Sequence, residues 1–250
     1  MRTFLLLLIL FFFKSAYPCE HPLVLSFNGD WPPYFYKVGE ETYVGSDFDI
    51  LSRTLDSMSC TFNVLPMTPE RAQLEMSKGT FDIFVGASYT NQRNLDFFYT
   101  TPYRKEYISY AYNTKNLTMN TNALDDILEN DGYVAINIQG YFGDYVEALK
   151  QRYPDRFIHA FSAIKRMQML NEGVVSVVID DKSVLCKDAK RFTNKPRLKS
   201  YKISDQILHH GDIHFIFNRS TVTPQFVKRF NDVLSTELIN TSSFQTDSCS

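Results

Sequence analysis

The sequence predicts an α/β protein built as two lobes, each a mostly parallel sheet flanked by helices, with two chain crossings between them. Strand-like and helix-like hydrophobic periods alternate in the order strand, helix, strand, helix, strand, and this whole order occurs twice. An extended aromatic run separates the two units, and a second extended run follows them. We therefore expect a cleft between the carboxyl ends of the two sheets.

The first unit contains three strand-like runs with a helical period in each gap. We predict strands at 23–27, 61–65 and 81–85, and helices at 46–58 and 69–78. Apolar residues recur three or four positions apart in the first helix. Ser46 and Asp47 are suitable starting residues for this helix, and Gly79 closes the second one.

The second unit repeats this order and is followed by a final helix. We predict strands at 133–138, 157–161 and 174–179, and helices around 145–149 and 164–170. The extended runs 107–112 and 213–217 are suited to cross between the two units. A last helix at about 224–238 would then pack on the first unit.

The N-terminal segment predicts export from the cytoplasm. Arg2 precedes an apolar run of about 10 residues, which fits a signal-peptide core and is shorter than the roughly 20 residues that span a bilayer. We predict a signal peptide at 1–17 and expect no other membrane anchor. The mature chain would then form one lobe from 18–109 and 214–250 and the other from 110–213.

The charge balance argues against nucleic acid as a partner. The chain has 26 basic and 28 acidic residues and a net charge of -2, so it presents no dominant basic face. The stretch 187–202 is locally basic, and we interpret it as a solvated surface. A docking patch for a partner, or a field that attracts anions, is the alternative interpretation of this stretch.

Four cysteines in an exported chain predict two disulfides, because an oxidising compartment preserves them. Cys19 and Cys60 each lie just before a predicted strand, and in a parallel sheet both would sit at the same end. We therefore favour a Cys19–Cys60 bridge and a Cys186–Cys249 bridge. The sequence alone allows three connectivities, and its spacings show no zinc pattern.

Small motifs in the first hundred residues indicate parts of one ligand site. An aromatic segment runs from Trp31 to Tyr34, and a polar loop after a predicted strand ends in Arg93. Pro102 and Tyr103 then form a rigid exit. Between these motifs lie Gly45, Asp49, Gly79, Asp82, Thr90 and Phe97.

In this order, the motifs resemble the type II periplasmic solute-binding proteins of the polar amino-acid group, bacterial extracellular solute-binding protein family 3. The resemblance covers nearly the whole mature chain. It implies a periplasmic, monomeric protein that needs no cofactor and delivers a small, amino-acid-like ligand to the membrane subunits of an ABC importer. It also implies two lobes that close on the ligand.

The resemblance assigns the ligand's carboxylate and side chain to the first lobe. Trp31 and Tyr34 match an aromatic wall, with core packing as the alternative role. Ser88 and Arg93 match the carboxylate site, which suits the planar fork of an arginine. Gly86 and Thr90 complete this loop, whose N–H groups and hydroxyls can form an anion nest. An Arg93–Asp96 pair on a surface turn is the alternative role of Arg93.

In the second lobe, the resemblance assigns the ligand's amino group to Asp181, with Asp180 as a rival. Capping of a helix that begins at Lys182 is the alternative role of Asp181. The segment Gln139-Gly140-Tyr141-Phe142-Gly143 departs from the family, where two small hydroxyl residues commonly follow the glycine. We expect Gly140 and Phe142 to line the site, and this departure leaves other small carboxylates, amines and peptides open as ligands.

Other functional classes find less support in the sequence. The chain contains no Gly-x-Ser-x-Gly, phosphate-loop or His-Glu-x-x-His motif. A cluster at His209, His210, Asp212 and His214 lies in or beside the second crossing, and we interpret it as exposed imidazoles rather than a metal site. The family fold also hosts exported cyclohexadienyl dehydratases, which we keep as the alternative function. A receptor's sensor domain is a third possibility, disfavoured because no membrane span or signalling domain is visible.

Overall fold

A single ten-stranded sheet forms the frame of the protein in a computed structural model that describes residues 19, 21–75, 78–114, 124–137, 140–160, 162–193 and 201–240. The predicted signal peptide at 1–17 lies outside the described residues. Within the described part of the chain, no helix combines the length and the apolar character needed to cross a bilayer.

The strands alternate with helices along the chain. The strands are β1 Leu23–Phe27, β2 Tyr36–Val38, β3 Thr42–Val44, β4 Phe62–Pro66, β5 Ile83–Ser88, β6 Phe97–Tyr99, β7 Arg104–Asn113, β8 Val134–Ile136, β9 Phe157–His159, β10 Val177–Asp181, β11 Tyr201–Ile203 and β12 His209–Asn218. The helices are α1 Ser46–Ser57, α2 Pro69–Glu75, α3 Arg93–Asp96, α4 Leu124–Glu129, α5 Asp144–Arg152, α6 Ala163–Glu172, α7 Lys182–Thr193 and α8 Pro224–Asn240, with a short 3-10 turn at Pro154–Arg156.

The sheet consists of two parallel halves joined by two long central strands. Its main path runs β4-β1-β5-β12-β7-β10-β8-β9. The outer strands on each side pair in parallel, whereas β12 pairs antiparallel with β5 and β7, and β7 pairs antiparallel with β10. This arrangement confirms the predicted two-lobed α/β fold with two crossings. The predicted lobe limits at 109/110 and 213/214 fall inside β7 and β12 and remain predictions.

Each half of the sheet has a hydrophobic core of its own. In the first half, α1 and α8 pack against the sheet, and Leu51, Leu55 and Phe230 are fully buried there. In the second half, Val146 of α5 packs with Ile179 of β10 in a separate cluster. Two cores on either side of the crossing strands agree with two lobes.

Several elements differ in length from their sequence predictions because of tertiary pairing. The strand predicted at 174–179 begins later and continues to Asp181, since Asp180 and Asp181 pair with Ser109 and Ile108 of β7. The first crossing is also longer than predicted and begins at Arg104. The sequence patterns missed the β2–β3 hairpin and β11 because three-residue strands carry too little periodicity.

One predicted disulfide is present between Cys19 and Cys60. It joins the segments that lead into β1 and β4, which are parallel neighbours. The same-end argument from the sequence is therefore confirmed. Cys249, the predicted partner of Cys186, lies outside the described residues.

Candidate functional site

A cavity of about 160 Å³ lies where the two halves of the sheet meet. The segments after β1 and β8 and the carboxyl ends of β5 and β10 contribute to its wall, which is where the sequence predicts a cleft. Seven of the nine predicted site residues line it: Trp31, Gly86, Ser88, Arg93, Gly140, Phe142 and Asp181. The other two, Tyr34 and Thr90, lie just behind this wall and hydrogen-bond to wall residues.

The aromatic wall is built on a tight turn. The Trp31 N–H donates to the Phe35 carbonyl at 2.8 Å, which fixes the turn, and the Trp31 and Tyr34 rings lie 4.7 Å apart. Gly86 of β5 has φ +78°, and a Cβ atom at this position would come within 2.3 Å of the Trp31 ring. Only glycine therefore lets the indole lie this close to the strand.

The carboxylate loop combines Ser88, Thr90 and Arg93. The Arg93 Nη1 donates to the Ser88 carbonyl at 2.9 Å, and the Arg93 backbone N–H donates to Thr90 Oγ1 at 3.2 Å. Burial lowers the pKa of Arg93 from its usual value, although the nearby Tyr99 and Glu106 act in the opposite direction. The loop thus holds a cation at the cavity wall, suited to an anionic group of a ligand.

Arg104 occupies a position that the sequence did not single out. Its guanidinium lies 3.6 Å from the centre of the Tyr34 ring and 5.1 Å from that of Trp31. Its Nε donates to both carboxylate oxygens of Asp47, at 3.0 and 3.1 Å. Burial opposes the charge of Arg104, but Asp47 and neighbouring groups hold its pKa above the usual value. Arg104 is therefore a fixed cation against the aromatic wall.

Asp47 is the buried anchor of this arginine. It lies in the first turn of α1, is fully buried, and also accepts a hydrogen bond from the Tyr103 hydroxyl at 2.5 Å. A carboxylate near a helix N-terminus is stabilised by the helix dipole. Asp47, predicted as a helix start, and Tyr103, predicted as part of a rigid exit, thus meet at the Asp47–Arg104 ion pair.

Asp181 connects the two halves of the cavity. Its Oδ1 accepts hydrogen bonds from the Tyr34 hydroxyl and from the Ser183 N–H, both at 2.8 Å. Its Oδ2 accepts from the Tyr107 N–H at 3.3 Å and lies 3.9 Å from Arg104 Nη1. Burial raises the pKa of Asp181. Asp181 therefore caps α7 and lines the cavity at the same time.

Asp180, the rival residue, forms a different contact. Its carboxylate accepts a hydrogen bond from the guanidinium of Arg166, which is itself buried in α6. Removal of one partner from a buried ion pair strongly destabilises a protein, because the other charge is then left buried without a partner. Asp180 therefore has a structural partner within its own half of the protein, although Asp180 also lines the cavity.

Glu106 is a second group that the sequence analysis missed. It lies two residues after Arg104 on β7, is 5% exposed and lines the cavity. The Ser88 hydroxyl donates to its Oε1 at 2.6 Å. Burial raises the pKa of Glu106 to about 7, although the hydrogen bond from Ser88 lowers it. Its place two residues after Arg104 and two before Ile108, on one face of an extended run, was the sequence signal that could have revealed it.

The departure from the family pattern in the second half is accommodated by packing. The Phe142 ring is buried in the core of this half, and it lies so close to Gly140 that a Cβ there would come within 2.3 Å. Tyr141 lines the cavity, and its hydroxyl donates to Asp144 at 2.7 Å. Gln139 lies outside the described residues. An aromatic pair thus replaces small hydroxyl residues at this wall.

The histidine cluster at 209–214 belongs to strand β12. There, Asp212 pairs with Lys105, and the His214 Nδ1 lies 2.7 Å from the Thr100 carbonyl. Among the described residues, no group of three or more potential ligands is arranged to hold a metal ion.

Sequence comparison places the chain within one family. The profile of the bacterial extracellular solute-binding proteins, family 3, matches residues 23–237. No curated protein matches the chain.

Solved structures share the fold at low sequence identity. A histidine kinase sensor domain with similarity to periplasmic binding proteins is 15% identical, with a TM-score of 0.74 and coverage of 90% of this chain and 92% of that chain. An ancestral amino acid-binding protein, a precursor of cyclohexadienyl dehydratase, is 17% identical, with a TM-score of 0.71 and coverage of 88% and 91%. The arginine-, lysine-, histidine-binding protein ArtJ from Geobacillus stearothermophilus is 14% identical, with a TM-score of 0.73 and coverage of 89% and 91%.

Proposed function

The chain belongs to family 3 of the bacterial extracellular solute-binding proteins, as its motifs predict, and from this membership we propose that it captures a small polar ligand for uptake. The ligand is an amino acid or a related small carboxylate or amine. The closed, liganded protein then docks on the membrane subunits of an ABC importer. The extracellular character of the family supports export to the periplasm.

The cavity between the two halves supports this function most directly. It is lined by Ser88 and Arg93 from one side and by Asp181 from the other. An arginine, a hydroxyl and a carboxylate that converge on a small cavity are suited to a ligand with charged groups. The names of two structural neighbours, an amino acid-binding ancestor and ArtJ, support a ligand of amino-acid size.

The proposed mechanism is closure of two lobes on the ligand. Arg93 holds the ligand's carboxylate on the first lobe, beside the Trp31 ring. Ser88 joins it once its hydroxyl turns from Glu106 to the ligand. Tyr141, Phe142 and Asp181 complete the site from the second lobe only when the cleft is shut. Because the ligand then touches both lobes in the closed form alone, it stabilises that form.

A thermal-shift screen of the mature protein tests this proposal. Amino acids, polyamines, small organic acids and short peptides are the probes, and a ligand at 100 times its Kd adds about 2.7 kcal/mol of stability. Arg93→Ala should abolish the shift produced by a carboxylate ligand while leaving the protein folded.

Arg156→Ala is the matched control, because this arginine pairs with Asp131 and lies over the Tyr133 ring away from the cavity. It should retain the wild-type shift. An Arg93→Ala protein that keeps the wild-type affinity would remove the carboxylate role from this residue.

Glu106 supports a second candidate function, an exported dehydratase of the cyclohexadienyl type. Acid-assisted elimination needs a protonated carboxyl near the leaving hydroxyl, and Glu106 is a cavity-lining carboxyl with a pKa of about 7. Incubation with prephenate or arogenate tests this candidate. Product formation that Glu106→Gln abolishes would support an enzyme, whereas reversible binding without turnover would support the solute-binding function.

A further inference from the structure

Arg104 contacts the groups that would suit a positively charged part of a ligand, behind the Trp31 and Asp181 wall of the cavity. Its guanidinium stacks on Tyr34 at 3.6 Å, lies over Trp31 at 5.1 Å, and approaches Asp181 to 3.9 Å. Two aromatic faces and a carboxylate are the groups that recognise an ammonium or guanidinium ion. In this chain, the cation they surround belongs to the protein.

This arginine is held firmly in place. The single N–H on its Nε is shared by both carboxylate oxygens of Asp47, and the arginine side chain is only 10% exposed. An ion pair that is buried and hydrogen-bonded is far more persistent than one at the surface. A ligand cation would therefore have to displace the Arg104 guanidinium, which is part of the chain itself.

Asp181 has little capacity left for a ligand's amino group. The Tyr34 hydroxyl, the Ser183 N–H and the Tyr107 N–H donate to its two oxygens, and Arg104 supplies a positive charge nearby. A ligand ammonium at this carboxylate would lie close to the guanidinium. Two like charges at such a distance in a partly buried site repel each other strongly.

Arg104 also retains one donor that the described part of the protein leaves unused. Its Nη2 is buried and has no hydrogen-bond partner among the described residues. A buried donor without a partner is costly, so this guanidinium favours a neighbouring oxygen atom over a further cation. An ammonium group of a ligand has no acceptor to offer.

We propose that Arg104 is a specificity-determining residue that replaces the ligand's cation, so that the site takes a small carboxylate without an amino group, such as a 2-hydroxy acid. This inference rests on the proposed solute-binding function and narrows its ligand class. Arg93 and Ser88 still hold the ligand's carboxylate. Arg104 fills the place of the amino or guanidinium group.

The test compares 2-hydroxy acids with the amino acids that carry the same side chain. Isothermal titration of the wild-type protein uses lactate against alanine, malate against aspartate and phenyllactate against phenylalanine, with arginine as a cationic probe. We expect the hydroxy acid to bind at least tenfold more tightly in the pair that fits the cavity, and arginine not to bind.

In Arg104→Ala, the affinity for the hydroxy acid relative to the matching amino acid should fall by at least tenfold, because the substitution removes the tethered cation from Asp181 and the aromatic wall. The vacated space should also accept a free guanidinium group. Millimolar methylguanidinium chloride should therefore raise the Tm of Arg104→Ala more than sodium chloride does, and should not do so for the wild-type protein or for Arg156→Ala. If Arg104→Ala does not fold, Arg104→Gln serves the same comparison with a smaller loss of packing.

The outcomes separate the inference from the function on which it rests. Wild-type protein that binds an amino acid as tightly as its hydroxy acid would overturn the role of Arg104 and leave solute binding intact. An unchanged preference in both Arg104 variants would also overturn it. Wild-type protein that binds none of the probes in either screen would contradict the proposed function itself.

Discussion

Glu106 links the protonation of the cavity to the stability of the protein. The folded protein keeps this proton up to about pH 7, because burial raises the pKa from 4.5. The unfolded chain releases the proton near its ordinary pKa of about 4.5, so the folded state binds more protons between about pH 4.5 and pH 7. The contribution of Glu106 to stability therefore falls as the pH rises through this window.

Glu106→Gln should remove this loss of stability. The amide oxygen can still accept the hydrogen bond from Ser88, but it does not ionise. The gain in Tm over the wild-type protein should be larger at pH 8 than at pH 5. The corresponding gain in the free energy of unfolding is at most about 3 kcal/mol for a pKa shift of this size. The exposed Glu41→Gln is the control, and equal effects of Glu106→Gln at both pH values would contradict the prediction.

Gly86→Ala should disturb the aromatic wall. The new methyl group would meet the Trp31 ring at 2.3 Å, at a residue whose φ of +78° already disfavours a side chain. Gly39→Ala is the matched control, since Gly39 has φ +70° and no atom within 4 Å of the added Cβ. We expect urea unfolding to show a further loss of about 1–3 kcal/mol for Gly86→Ala, from overpacking alone. A loss no greater than that of Gly39→Ala would show that the indole moves freely.

At this same scale, the sequence predicted the cavity wall better than the charges behind it. Trp31, Ser88, Arg93 and Asp181 follow recognisable local patterns, at a turn or at the end of a buried strand. The role of Arg104 depends on Asp47 and Asp181, two carboxylates far away in the chain. No local hydrophobic period predicts that such distant residues come together. Its position directly after Pro102 and Tyr103 was the available signal.

At the scale of elements, the ends of strands were the hardest feature to predict. Strand β10 extends to Asp181 because it pairs with the crossing strand β7. Its last two pairs, Asp180 with Ser109 and Asp181 with Ile108, join residues more than 70 positions apart in the chain. The strand's apolar run ends at Ile179, so composition alone places the two aspartates in a loop. In contrast, β1 and the start of α8 match their predictions, because their periods are long and clearly bounded.

The Cys19–Cys60 bridge ties the starts of β1 and β4 together across 41 residues. Closing a loop of this length in the unfolded chain accounts for up to about 4 kcal/mol of stability. A protein with both Cys19→Ser and Cys60→Ser should therefore unfold at a lower urea concentration. This double variant leaves Cys186 unchanged, which treatment with a reductant would not. Unfolding at the wild-type urea concentration would show that strand pairing alone holds this edge.

At the scale of the whole molecule, the aromatic wall bridges the two halves. Tyr34 follows β1 in the first half, yet it packs with Ala163 of α6 and Val184 of α7 in the second. Its hydroxyl also binds Asp181. Arg104 stands on the crossing strand and contacts charged groups on both sides. The cleft, the crossings and the ion pairs therefore form one connected unit.

Trp31 gives the most direct measurement of whether this unit binds a ligand. It is the only tryptophan in the chain, and it lines the cavity, so its fluorescence reports the site without a label. Titration with the ligand that gives the largest thermal shift should produce a saturable change in wild-type protein and in Arg156→Ala, and no change in Arg93→Ala. A wild-type signal that stays flat, or an identical titration curve in Arg93→Ala, would contradict a ligand held between Trp31 and Arg93.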